Sequence, residues 1–276
     1  MTIDKDTKLI ARLHIEDNGR GLNIYNPYFE AAGINAVYML FVNKEPKPLV
    51  DGLRNLQVSG AIPAGFEKDA VLPTLVDEKT EAVKLANRVG IIANRGGKLF
   101  AHYQGGEGLL SAIKEKLAIG GKNLVIVGSG TVAKTLILAI TESEDRPASI
   151  TVLNRTLDHA RQLQDRFPDI VKANPLEDLA SIEGDIIVNT TCIGSTVEDT
   201  YFTADIVNKF QAAVDVTFAN PKTNLIRLSQ EHGAVTITGW DMFTHQAVIV
   251  LRELLNHEAN IPLLRKHVEK GLAEDY

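Results

Sequence analysis

The run Asn123–Val127 is short and wholly apolar after its first residue, and Gly128-Ser129-Gly130-Thr131-Val132-Ala133 follows it directly. An apolar strand, a glycine-rich turn and a helix-forming stretch in that order form a phosphate-binding βα turn. The first glycine permits the tight turn, the second lets backbone approach a pyrophosphate, and the small Ala133 allows close helix–strand packing. The helix that opens there presents unpaired N–H groups and a positive dipole end to the phosphates. A GxGxxA string alone is weak evidence. Its position between a strand and a helix is what gives it weight.

The next strand, Ser149–Leu153, ends at Asn154-Arg155-Thr156. A site for NAD places Asp or Glu at this tip, to bond the ribose 2′-hydroxyl. Here a guanidinium stands instead, suited to pair with a 2′-phosphate and to stack on adenine. The expected cofactor is therefore NADP.

The rest of the chain alternates in the same way. Strands are predicted at Lys8–Leu13, Asn35–Val42, Val58–Pro63, Val89–Ala93, Asp185–Asn189, Ala212–Thr217 and Val235–Ile237. Helices are predicted from Asn26-Pro27 to Gly33, at Pro48–Leu56, Asp69–Leu75, Thr131–Thr141 and Leu157–Phe167. Asn26 suits an N-cap, Pro27 a first helical position and Gly33 a C-terminal stop. Strands alternating with helices argue for doubly wound parallel sheets, and 276 residues suit two domains. Gly105–Gly108 and Gly120-Gly121 read as hinges. Asn189, Thr190 and Thr191 end a strand, where open α/β sheets bind ligands, and are expected to border the nicotinamide ribose.

Composition excludes other classes. The net charge of −6 gives no footprint for nucleic acid. No apolar run is long enough to span a membrane, and the polar start of the chain lacks a signal-peptide core. The single cysteine, Cys192, rules out an intramolecular disulfide framework and cysteine-based zinc sites, no metal is expected, and it reads as a packing residue. The expectation is a cytoplasmic monomer or homodimer acting on a small molecule.

Several segments resemble the shikimate/quinate dehydrogenase family along almost the whole chain. Gly239-Trp240-Asp241-Met242-Phe243-Thr244-His245-Gln246-Ala247 is similar to the family's G-x-x-M-L-x-x-Q-A. Val127–Lys134 and Leu153–Thr156 match its cofactor loop and N-R-T tip. Asp185–Gly194 resembles its D-I-I-N-A-T-P-x-G, and Asp215-Val216-Thr217-Phe218 with Thr223 and Leu225 its D-x-x-Y-x-P-x-x-T-x-L. Lys68-Asp69-Ala70-Val71-Leu72-Pro73 resembles the K-E-A-V-L-P that carries the catalytic lysine.

The resemblance implies an α/β substrate domain over 1–105, completed by helices in 240–276, and a Rossmann-like NADP domain over 106–239. It implies reversible hydride transfer between NADP and a ring carbon bearing a hydroxyl, within aromatic amino acid biosynthesis. Lys68 would transfer the proton, Gln246 would bind substrate, and Gly239 and Met242 would border the nicotinamide. Where the family has S-x-S-P this chain has Ile24-Tyr25-Asn26-Pro27, leaving Tyr25 and Asn26 as polar groups. The family's Asn falls on Gly90, its catalytic Asp on Gly105 and its substrate-contacting Tyr on Phe218. Glu107, His102 and Tyr103 stand near the missing carboxylate. These departures imply a diverged pocket. The alternative reading is a non-catalytic NADP-binding or regulatory protein on the same fold.

Overall fold

The computed structural model describes residues 3–16, 18–56, 58–66, 71–193 and 201–275. Lys68 lies outside them, as does Gly194. The chain forms two compact units. Unit 1 comprises residues 1–104 and 244–276, and unit 2 residues 105–243.

In unit 1 the order is β1 (Lys8–His14), α1 (Leu22–Ala32), β2 (Ala36–Val42), α2 (Pro46–Asn55), β3 (Gly60–Ala64), β4 (Glu78–Lys79), α3 (Glu81–Ala86), β5 (Ile91–Arg95) and β6 (Lys98–His102). The sheet order is β2-β1-β3-β5-β6-β4. β1, β2 and β3 are parallel, whereas β5 runs antiparallel to β3 and β6, so this sheet is mixed. Alternation along β1 sends Ala11 and Leu13 into a core with Val50 and Leu53 of α2. Ile10, Arg12 and His14 therefore take the other face. Chain order reverses direction between β1 and β3, which makes their carboxyl ends a switch point of the kind where open sheets bind ligands.

Helix α1 begins at Leu22, four residues before the expected start at Asn26. Burial decides this: Ile24, Tyr25, Tyr28 and Phe29 form one buried stripe, and only a helix running through Pro27 places all four inside. The Asn26 amide bonds a strand instead of capping a helix. It donates to the Tyr38 carbonyl at 3.0 Å and accepts from the Tyr38 N–H at 2.8 Å. The predicted helix Asp69–Leu75 is, where described, a 3₁₀ turn at Leu72–Thr74 closed by Thr74 N–H to Val71 O and Leu75 N–H to Leu72 O. Pro73 has no N–H to offer a longer helix. A further strand, β6, pairs with β5 as a hairpin through Gly96-Gly97.

Unit 2 contains α4 (Gly105–Lys116), β7 (Asn123–Val127), α5 (Thr131–Thr141), β8 (Ser149–Asn154), α6 (Leu157–Arg166), β9 (Val171–Pro175), β10 (Ile186–Asn189), α7 (Ala204–Val207), β11 (Ala212–Asp215), α8 (Asn224–Glu231) and β12 (Val235–Ile237). The sheet is fully parallel in the order β12-β11-β10-β7-β8-β9, a doubly wound arrangement reversing between β7 and β10. Leu124 and Ile126 face one buried cluster, Val125 and Val127 the opposite one, as expected for a strand covered on both faces.

The glycines at 105–108, expected as a hinge between the halves, fall where unit 2 begins. They form the first turn of α4, and Gly106 lies against the backbone of α5. After β12 the chain continues as α9 (Gly239–Leu255) and α10 (Ile261–Asp275). In unit 1, α10 packs on α1, with Gly271 against Ile24 and the Tyr28 ring 6.2 Å from that of His267.

Candidate functional site: the switch point of unit 2

At the carboxyl end of β7, Gly128 has φ +103°, in the region that L side chains rarely adopt. A Cβ there would lie 2.6 Å from Thr191 Cγ2 and 2.7 Å from Thr190 Oγ1. Residue 128 is thus held by conformation and by space. Its N–H donates to Leu153 O at 2.8 Å, tying β7 to the tip of β8. Gly130 caps α5 with no side-chain acceptor, so the first amides of α5 are available to a ligand. Ala133, fully buried, seats α5 on the sheet. Ser129 is buried, and Thr131 and Val132 are half-buried.

A cavity of about 420 Å³ opens beside this turn. Leu153, Leu176 and Ile193 give it apolar walls, and Asn154, Arg155, Thr156 and His159 line it with polar groups. Asn154 Nδ2 donates to Thr156 O at 2.9 Å and so fixes the turn that carries the exposed Arg155. Such a cavity, with apolar walls, a cationic rim and an uncapped helix start, can hold the adenosine half of a dinucleotide. His159, Leu176 and Tyr201 were not anticipated. His159 stands three residues past Thr156 in the first turn of α6, a spacing that could have flagged it. Tyr201 carries no such signal. Cys192, expected to pack, is exposed and lines the cavity.

Gly130 allows a clean test. Nothing lies within 4 Å of a Cβ built on it. Gly130→Ala is expected to cost at most about 1 kcal/mol of stability, through its poorer capping. Because the methyl would stand where a pyrophosphate approaches, dinucleotide affinity by calorimetry should fall more than about tenfold. Unchanged affinity would put the phosphates elsewhere.

Asn189 is fully buried and acts from behind the loop. Its Oδ1 accepts from Thr191 N–H at 3.1 Å and Thr191 Oγ1 at 2.7 Å, and its Nδ2 donates to Ile193 O and to Asp215 Oδ2. Asp215 also accepts from Thr223 Oγ1 and from Thr217 N–H. Burial pushes the Asp215 carboxyl above its usual range, and these donors partly offset the rise. Thr190 Oγ1 donates to Val127 O at 2.9 Å. The direct lining therefore comes from Thr191, with Asn189 as its support.

Met242 is buried in the unit 2 core, and a Cβ on Gly239 would sit 2.3 Å from Thr217 O. Phe218 meets Phe243 edge-on at 5.9 Å. In unit 1, Gln246 is half-buried on α9 and Tyr25 is buried, its ring 4.8 Å from that of Tyr38. A Cβ at Gly90 would lie 2.0 Å from Gln104 Oε1, so the Gln104 carboxamide fills the space a side chain at 90 would need. That oxygen is buried without a hydrogen-bond partner among the described residues. Among the described residues no three His, Cys, Asp or Glu side chains gather as a metal site, and no helix is long and apolar enough to cross a membrane.

Residues 109–222 match the family described as shikimate / quinate 5-dehydrogenase. A shikimate dehydrogenase (NADP(+)) of Pyrococcus furiosus is 28% identical over 246 residues, covering 88% of each chain. That of Salinibacter ruber is 30% identical over 275 residues, covering 92% of this chain and 94% of the relative. The solved shikimate 5-dehydrogenase of Listeria monocytogenes, in complex with shikimate and NAD, superposes with a TM-score of 0.83 at 24% identity, over 96% of this chain and 98% of that one. With 30% identity sustained across nearly the full length of a relative, this chain belongs to the shikimate dehydrogenase family.

Proposed function

We propose that the protein is an NADP-dependent dehydrogenase that interconverts CH–OH and C=O on a small hydroxylated carboxylic acid of the shikimate type. The observation that carries this reading is the cavity beside Gly128, whose rim bears Arg155 where an NAD site would carry a carboxylate. The names of the relatives, shikimate dehydrogenase (NADP(+)), support it.

When bound, NADP supplies the hydride acceptor or donor. The chain's part is to bind and orient the reactants and to move the hydroxyl proton. Gly128, Ser129, Gly130, Thr131, Val132 and Ala133 form the phosphate turn, and Asn154, Arg155 and Thr156 take the adenosine 2′-phosphate. Thr190 and Thr191, supported by Asn189, border the ribose, and Gly239 and Met242 the nicotinamide. Lys68 transfers the proton, and Gln246, Tyr25, Asn26 and Phe218 shape the substrate side. Residues 1–105 with 240–276 would serve the substrate and residues 106–239 the cofactor.

Arg155→Ala is expected to weaken NADP binding about 10–100-fold, the worth of a charge-assisted contact, and NAD binding much less, since only the stacking on adenine is common to both. Calorimetry with both nucleotides checks this, and an equal loss for both would remove Arg155 from 2′-phosphate recognition. The overall test is an absorbance assay for reduced nicotinamide with NADP⁺ and shikimate or quinate, run alongside NAD⁺. NADP-dependent turnover is expected. NADP binding without turnover across a wide panel of hydroxy acids would favour a binding protein on this fold.

A further inference from the structure

Arg12 lies on β1, the strand at the switch point of the unit 1 sheet, two residues before its carboxyl end. It is 9% exposed. Its Nε has no hydrogen-bond partner, and among the described residues no carboxylate pairs with the guanidinium. The group beside it is the Tyr38 hydroxyl, with the tilted Tyr25 ring 4.8 Å from that of Tyr38. Neither phenol can neutralise the charge. Burial raises both above the ordinary tyrosine value, so both stay protonated at neutral pH. Arg12 also shares its face of the strand with Ile10 and His14, and the backbone N–H of Glu16 donates to His14 Nδ1 at 3.0 Å.

A guanidinium buried without a counter-charge is costly, and a fold retains one where something bound supplies the missing anion. The fork of N–H donors on arginine matches a planar carboxylate in particular. The location agrees with this, since ligands of open α/β sheets sit outside the carboxyl ends of strands at a switch point.

We propose that Arg12 anchors the carboxylate of the substrate in unit 1, with the Tyr38 hydroxyl beside it. The choice of a carboxylate rests on the dehydrogenase reading above. The anion site itself follows from the uncompensated charge.

The test is calorimetry on the full chain with shikimate and with its uncharged methyl ester, for the native protein, Arg12→Met and Arg12→Lys. Thermal unfolding in sodium acetate or inorganic phosphate at fixed ionic strength accompanies it. The native protein should bind shikimate at least about tenfold more tightly than the ester. Arg12→Met should lose that preference and Arg12→Lys recover part of it. In anion-free buffer Arg12→Met should unfold at an equal or higher temperature than the native chain, because an apolar side chain removes an unpaired buried charge. Acetate should raise the native Tm and leave that of Arg12→Met unmoved.

If Arg12→Met kept the preference for shikimate, or if acetate moved native and variant Tm alike, the anchor would be refuted. A response to phosphate alone would refute the carboxylate. Charge-dependent binding without turnover would sink the dehydrogenase reading and leave Arg12 standing. Turnover with an indifferent Arg12→Met would do the reverse.

Discussion

Replacing Lys68 with methionine is expected to lower kcat by about 10²–10⁴-fold, the usual contribution of a positioned proton-transfer group. Removing hydride from a CH–OH carbon leaves a hydroxyl proton that must go to a base. A lysine can take it once its amine is neutral, a state reached when the surroundings disfavour the ammonium. Methionine keeps the length of the side chain and discards the amine. Arginine keeps the charge and cannot be deprotonated, so Lys68→Arg should fail as well. Residue 68 is not among the residues of unit 2, which carries the cavity beside Gly128. NADP affinity should therefore be the same in the variants and the native chain, measured by calorimetry beside the rate. Turnover that survived Lys68→Met would remove this residue from the reaction.

The second large effect concerns stability. Gly106→Val should destabilise unit 2 by about 3 kcal/mol or more, the upper range for an overpacked core. A Cβ at 106 would stand 2.1 Å from Thr135 C, 2.2 Å from Thr135 O and 2.4 Å from Leu136 N. These are backbone atoms of α5, so no rotamer can relieve the contact and the helices must part. For a protein of this size the loss corresponds to a fall in Tm of roughly 6–12 °C. Because α5 begins at Thr131, its displacement should also weaken dinucleotide binding, which separates this variant from one that merely loosens an edge. A Tm within about 1 °C of the native value, where surface substitutions fall, would contradict the close approach of α4 and α5.

The same helix shows where sequence reading reaches its limit. Gly128 was legible because the turn, strand and helix it joins lie within a dozen residues. Gly106 was not, because what excludes a side chain there is a helix about thirty positions downstream. From sequence the glycine reads as a joint, and the fold adds a close backbone contact there. Asn26-Pro27 misled for a related reason. Capping preferences are worth about 1 kcal/mol, and a buried stripe of four large side chains outweighs them, so α1 starts early and Asn26 bonds β2. The cavity rim at Asn154-Arg155-Thr156 was readable from local order, whereas Tyr201 and the exposed Cys192 depend on loops that meet only in the fold. Arg12 gave no warning at all. In the string Lys8–His14 it occupies what looks like an ordinary polar position of a half-exposed strand, and only α1 and Tyr38 close over it.

The packing of α10 on α1 bears on how the chain is made. The last helix ends at residue 275, and the helix it covers ends at residue 32. Unit 2 lies between them as one continuous stretch. On a ribosome adding roughly 5–20 residues per second, the first hundred residues wait many seconds for their partner. During that time Ile24 and Tyr28 lack the surface of α10 that finally covers them. The half that emerges first is completed last, and a truncation that removes α10 is felt at helix α1.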